Sequence, residues 1–264
     1  MTLSPPYGTT FHSCWNDVPF MSRCVMVKKT RTVQRREDSL SRERIVEAAI
    51  GLLDSAGEDG LTFRALSERL ATGAGAIYHH VSNKSDLLIA ACDAVVAEAV
   101  GACQDCATPQ ETVRALSLGM FDAMDEHPWV GSALIQAAGQ LPMVRLLERL
   151  GQQVCALGVP EASQWAAAST LLHYIVGVGG QNAANRMSAQ AREIERTEFL
   201  DAVATAWSQL DVAQYPFARS AAEQLRAHDD REDFLAGVDL ILGGIVGLGG
   251  GSANRAERAP GKKR

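Results

Sequence analysis

The stretch TFRALSERLATGAGAIYHHV, residues 62–81, decides how the rest of the chain is read. Thr62 offers a side-chain oxygen to an amide of a first helical turn, and Leu61 and Leu66 flank it at the spacing of a hydrophobic staple. These residues predict a short helix with Leu66 and Leu70 facing inward. Ala71 to Ala74 then reads as a turn of small residues, and Gly75 to Val81 as another short helix. Ile77 and Val81, four apart, supply one buried stripe, so Gly75, Ala76, Tyr78, His79 and His80 are left outward. Upstream, Ile45, Ala48, Ala49, Leu52, Leu53 and Ala56 recur at helical spacing, and Gly57 stands where a left-handed stop is wanted. Downstream, Asn83 with Asp86 caps a helix whose apolar face runs through Leu87, Leu88, Ala91, Cys92, Val95, Val96 and Ala99. Helix, short helix, small-residue turn, short helix is the order of a helix-turn-helix module, in which one helix crosses the duplex backbone and the next presents its exposed face to the major groove. An ordinary helical hairpin fits the same spacing.

The remaining sequence keeps to helical periods. Thr108-Pro-Gln-Glu111 is a capping box with proline at the first helical position, followed by Val113, Leu116, Met120, Phe121 and Met124. Pro128 opens a segment ending at Gly139, Pro142 opens one stopped by Gly158, and Pro160 restarts a long run with Trp165, Ala168, Leu171, Leu172, Ile175 and Val176. Residues 181–197 are polar and loosely patterned, while 199–210 and 230–248 read as the last helices. No window alternates with period two for long enough to make a sheet, so the fold class is all-α with about ten helices.

Composition narrows the function classes. The chain has 264 residues, 47% hydrophobic and 21% charged, which is ordinary globular usage and excludes a fibrous repeat. Leu240 to Gly251, the longest apolar stretch free of charge, is half glycine and shorter than the roughly 20 residues of a membrane span. With no basic and apolar leader, the expected location is the cytoplasm, where the six cysteines stay reduced. Charge is divided unevenly: residues 23–92 hold 11 Lys and Arg against 9 Asp and Glu, residues 95–254 hold 9 against 19, and residues 255–264 hold 5 against 1. The N-terminal part therefore suits a polyanion and the body repels one.

Residues 41–88 resemble the N-terminal DNA-binding domain of the tetracycline-repressor (TetR) family of transcriptional regulators. The resemblance runs from SRERIVEAA through LTFRALSERLA to GAIYHHVSNKSDLL, and ends in the pattern Tyr-x-His-Val-x-x-Lys-x-x-Leu-Leu of Tyr78 to Leu88. Further on, it covers only the helical layout and the closing Phe-x-x-Gly-x-x-x-Ile-Leu-x-Gly-Ile of residues 234–245. It implies a helix-turn-helix domain at 41–88, a helical effector-binding and dimerisation domain at 89–249, a disordered basic extension at 1–40 and a flexible basic tail at 250–264. It also implies that Thr62, Arg64, Tyr78 and Lys84 touch phosphates, with His80 matching the family's histidine beside them, while Ala74, Gly75, Ala76 and His79 face base edges. The chemistry agrees, since helix-terminal amides and basic side chains suit phosphate oxygens whereas sequence is read in the groove. Few polar side chains stand at the reading positions, so His79, thymine-methyl contacts and DNA shape carry the readout. Lys28, Lys29, Arg31, Arg35 and Arg36 fit either a minor-groove arm or a solvated leader.

The implied partners are a double-stranded operator, a small-molecule effector and a second copy of the chain, with no membrane. One module reads too few bases, so a twofold dimer on a palindromic operator is expected. The resemblance puts the dimer contact on two late helices, through Leu171, Leu172, Ile175, Phe234, Val238, Ile241, Leu242 and Ile245. Met120, Phe121, Met124, His127, Trp129, Trp165, His173 and Tyr174, with Asn182 and Met187, are candidates for an effector cavity, being aromatic and sulfur-bearing side chains with a few polar groups, as such sites use; any core contains the same types. A ligand-released repressor is the resulting expectation, with no catalytic residue, cofactor or metal. Two other readings stay open. Cys103-x-x-Cys106 makes a thiol-responsive regulator conceivable, although a single pair is weak evidence for a metal. A helical interaction protein that binds no duplex would have no use for Lys84 or His79.

Overall fold

A computed structural model describes residues 40–104, 106–191 and 195–256. Among them are eleven helices and no strand. They are α1 (Arg42–Gly60), α2 (Phe63–Arg69), α3 (Ala74–Tyr78), α4 (Lys84–Ala102), α5 (Pro109–Glu126), α6 (Val130–Gln136), α7 (Leu141–Ala156), α8 (Glu161–Ala191), α9 (Arg196–Ser208), α10 (Pro216–Arg226) and α11 (Asp230–Ala256). The helix starts follow from local chemistry. Ser41, Thr62, Asn83 and Thr108 each accept an amide three residues on, and Glu111 returns a bond to the Thr108 amide at 3.0 Å, closing the capping box. Gly139 and Gly158 take positive φ values of 74° and 72° where α6 and α7 give way to the next segment.

Four expectations need correction. The helix expected over Gly75–Val81 is Ala74–Tyr78, because His80 and Val81 both turn back to the Ile77 carbonyl in a tighter closing turn. The polar residues 181–191 continue α8, since nothing there breaks a helix already held by packing upstream. Helix α10 was not anticipated: its buried face is alanine, with only Ala222 enclosed, so it shows no large apolar stripe. Finally, α11 runs to Ala256, past the tail expected from residue 250, because glycine lowers helix propensity without forbidding the conformation. The extension expected at 1–40 lies, except for Leu40, outside the described residues.

The described residues from Leu40 onward form one compact unit. One continuous core joins Ile45, Leu66 and Ile77 of the first helices to Met120, Leu146, Leu171 and Phe234 further on. Helix α4 runs through residue 88, so the division expected there falls inside a helix. It packs against α1 on one side and against α5, α6 and α7 on the other. Helix α8 lies against α5, α6, α7 and α11, and α9 pairs with α10. At the α6–α8 crossing glycine meets glycine: a Cβ on Gly131 would stand 2.7 Å from the Gly180 Cα. Any larger side chain there would push the helices apart.

Candidate nucleic-acid interface

Helix α2 reaches a seven-residue length and ends at Leu70, after which Ala71 takes φ 50° to redirect the chain into α3. Ile77 and Val81 point inward and are 0% and 5% exposed, sealing α3 onto Leu66 and its neighbours. Thr62, Arg64, Ala74, Gly75, Tyr78, His79, His80 and Lys84 are all exposed, and Ala76 is half-buried. The nine candidate DNA contacts thus share one surface region built by α2, α3 and the start of α4. A Cβ added to Gly73 or Gly75 would meet nothing within 4 Å. No neighbour in the fold therefore limits the side chain at either position.

The side chains around this face are held in specific ways. Tyr78, 55% exposed, stacks on Phe63 with ring centroids 4.3 Å apart and planes 16° from parallel. The stack ties the start of α2 to the end of α3 while leaving one ring edge in water. Thr62 Oγ1 accepts the Ala65 amide at 3.1 Å, and Arg64 pairs with Glu68 at 3.0 Å on an open surface. Lys84 Nζ donates to the Glu58 carbonyl oxygen at 2.5 Å. Glu43 of α1 has its carboxyl lowered, first by a backbone hydrogen bond and then by Ser41, with Arg42 and His80 adding attraction.

The residues offered for an effector site fall into separate groups. Met120, Phe121 and Met124 are core residues, with Phe121 packed 4.9 Å from Phe234. Tyr174 stacks on Phe234 and donates its hydroxyl to the Phe234 carbonyl at 3.1 Å. His127 and Trp129 both meet Asp54 of α1. Trp165 is 71% exposed and His173 also faces outward. A cavity of about 560 Å³ lies between α8, α9, α10 and the start of α11, and of the residues offered for an effector site Asn182 alone lines it. Phe199, Leu200, Val203 and Trp207 form its apolar wall. Its polar end holds Arg196, which pairs with Asp230 at 3.1 Å, and His228, whose Nε2 is 3.0 Å from the same carboxylate. These residues escaped sequence reasoning because α9 and α10 come together only in the folded chain.

The stripes offered for dimerisation are used within the chain. Leu171, Leu172, Ile175, Phe234, Val238, Leu242 and Ile245 are buried, and Ile241 is half-buried, against the chain's own helices. Left outside on α11 are Leu240, Gly243, Gly244, Gly247 and Leu248, and on α8 Ala166, Thr170, His173 and Gly177. Both sets follow helical spacing.

Two of the thiols approach one carbonyl oxygen, and a third is buried apart from them. Cys103 Sγ lies 3.7 Å and Cys106 Sγ 3.8 Å from the Gln104 carbonyl oxygen, and burial pushes the Cys92 thiol up to about 12. Among the described residues no group of three or more His, Cys, Asp or Glu side chains is placed to hold a metal ion, and no helix is long and apolar enough to cross a membrane.

Comparison with known proteins places this geometry in context. Residues 45–91 match the family described as bacterial regulatory proteins, tetR family, and residues 105–247 match the tetracyclin repressor-like C-terminal domain. The structure of the transcriptional regulator SCO7222, a TetR from Streptomyces coelicolor, is 54% identical with a TM-score of 0.72, covering 80% of this chain and 100% of that one. An HTH-type transcriptional regulator of Saccharopolyspora erythraea is 30% identical over 145 residues, which span 54% of this chain and 61% of that relative. The structure of BioQ with its natural double-stranded DNA operator is 26% identical with a TM-score of 0.50, covering 72% of this chain and 100% of that one.

Proposed function

Because this chain belongs to the tetR family of bacterial regulatory proteins, we propose that it is a ligand-released repressor, acting in the cytoplasm as a homodimer on a palindromic operator. The observation that carries the DNA-binding part is the outward face of α3. Gly75 within it and Gly73 at its N-cap have no neighbour within 4 Å, while Ile77 behind them is fully buried. Residues 41–88 serve as the reading head, with Thr62, Arg64, Tyr78, His80 and Lys84 on phosphates and Ala74, Gly75, Ala76 and His79 at base edges. The binding of BioQ to an operator duplex supports this reading by analogy.

Residues 89–249 serve as the regulatory domain. The dimer forms through the small-residue stripe of α8 and the Leu240–Leu248 stripe of α11, whose glycines allow close helix approach. A small-molecule effector enters the cavity beside Phe199 and Trp207, whose size suits such a ligand. Its binding shifts the population away from the DNA-competent spacing of the two heads.

The test is selection of bound duplexes from a random pool at two salt concentrations. A palindromic sequence enriched at both supports a dimeric sequence reader. A folded protein that enriches nothing at low salt sinks the proposal.

A further inference from the structure

Glu58 is bonded in two directions at once. Its carbonyl oxygen accepts the ammonium of Lys84 at 2.5 Å, across 26 positions of sequence. The same oxygen accepts the Leu61 amide at 3.3 Å, in the short turn that follows Gly57, where the chain leaves the helical path at φ 62° and ψ −168°. The carboxylate of Glu58 faces the other way. Its Oε1 lies 2.9 Å from the Ser132 hydroxyl, which shares its one proton between this oxygen and the Trp129 carbonyl at 2.8 Å, and the Gln136 amide reaches Oε1 and Oε2 at 3.3 and 3.4 Å. Ser132 and Gln136 stand one turn apart on α6 and so present their donors from one face. A single residue at the end of α1 thereby connects α6 to the first residue of α4.

We infer that Glu58 is a positioning residue for Lys84, with Ser132 and Gln136 fixing its setting from α6; this rests on reading Lys84 as a phosphate contact. A free lysine loses much rotamer freedom when a phosphate immobilises it. Here one of the three ammonium hydrogens is already held by a carbonyl at a helix end, where partial negative charge collects, and two remain for a phosphate oxygen. Ordering met during folding is not charged again on binding. The α6 donors have a second effect. By holding the carboxylate toward α6, they keep it from pairing with Lys84 and competing with the phosphate.

The experiment is a double-mutant cycle on the selected operator duplex over a salt series, with thermal unfolding of every protein alongside. The four proteins are wild type, Ser132→Ala with Gln136→Ala, Lys84→Ala, and all three substitutions together. The α6 pair is expected to bind about three- to tenfold more weakly, the scale of part of a lysine's ordering cost. The combined variant should bind no worse than Lys84→Ala alone. Ser132→Thr keeps the hydroxyl and should keep wild-type binding, and Gln136→Ala, at an exposed position, shows the same direction should the pair fail to fold. The same fold loss reappearing in the Lys84→Ala background overturns the inference, because the α6 residues would then act by another route. Unchanged binding by the α6 pair, with Lys84→Ala weakened, overturns it as well. A Lys84→Ala protein with wild-type affinity and salt slope removes the phosphate reading itself, and the positioning role falls with it.

Discussion

Asp54 accepts the indole N–H of Trp129 at 2.8 Å, joining the last regular turn of α1 to the start of α6. The same oxygen lies 2.8 Å from His127 Nδ1, so two residues offered by the sequence for an effector site are instead engaged in holding α1. Trp129 is only 4% exposed, and a buried indole N–H without an acceptor is costly. Asp54→Ala should therefore lower unfolding free energy by about 1–3 kcal/mol. Asp54→Asn, which retains an acceptor, should lose less. Urea unfolding followed by tryptophan fluorescence measures both, and equal losses would remove the hydrogen bond as the cause.

Gly75 separates folding from recognition. Its added Cβ meets nothing, and it lies inside a helix, so Gly75→Ala should raise stability by up to about 1 kcal/mol through backbone entropy. In the proposed interface the same methyl stands where base edges approach, so the variant should bind the selected operator differently or select a different one. Calorimetry and duplex binding read the two effects independently. Unchanged recognition with raised stability would take Gly75 out of the interface.

The two faces of α11 make opposite predictions. Leu240 is 80% exposed and Leu242 is 4% exposed. Leu240→Arg should leave helicity intact and give monomers in analytical ultracentrifugation. Leu242→Arg buries a charge and should unfold the chain. A Leu240→Arg protein that remains a dimer would move the interface elsewhere.

Cys92 should be chemically silent while the chain is folded. Desolvation by burial, with the Asp93 charge adding to it, raises its thiol to about 12, so very little thiolate exists at pH 8. Iodoacetamide should label the exposed Cys106 and Cys155 first, and Cys92 only on unfolding. The sign of the linkage follows. The unfolded thiol ionises above its ordinary value of 9.0 while the folded one does not, so this group makes stability fall as pH rises from there toward about 12. Mass spectrometry after timed labelling checks the reactivity; rapid labelling of Cys92 in the folded protein would contradict the burial.

Sequence by itself determined what rests on neighbours a few residues apart. The caps at Thr62, Asn83 and Thr108 and the inward pair Ile77 and Val81 are local consequences of hydrogen-bonding geometry and helical period, and each stands where its spacing required. They fix the all-α fold and the outward face of α3. Tertiary structure decided everything that depends on which helix faces which. Asp54 and Glu58 have no partner close in sequence that would mark them, and it is α6 that brings Trp129, Ser132 and Gln136 to them. The stripe Phe234, Val238 and Leu242 fits a dimer face as well as a core, and only packing against α5 and α8 assigns it to the core. The cavity beside Trp207 has the same origin, since its walls come from segments whose periodicity specifies a buried side but not the partner that buries it.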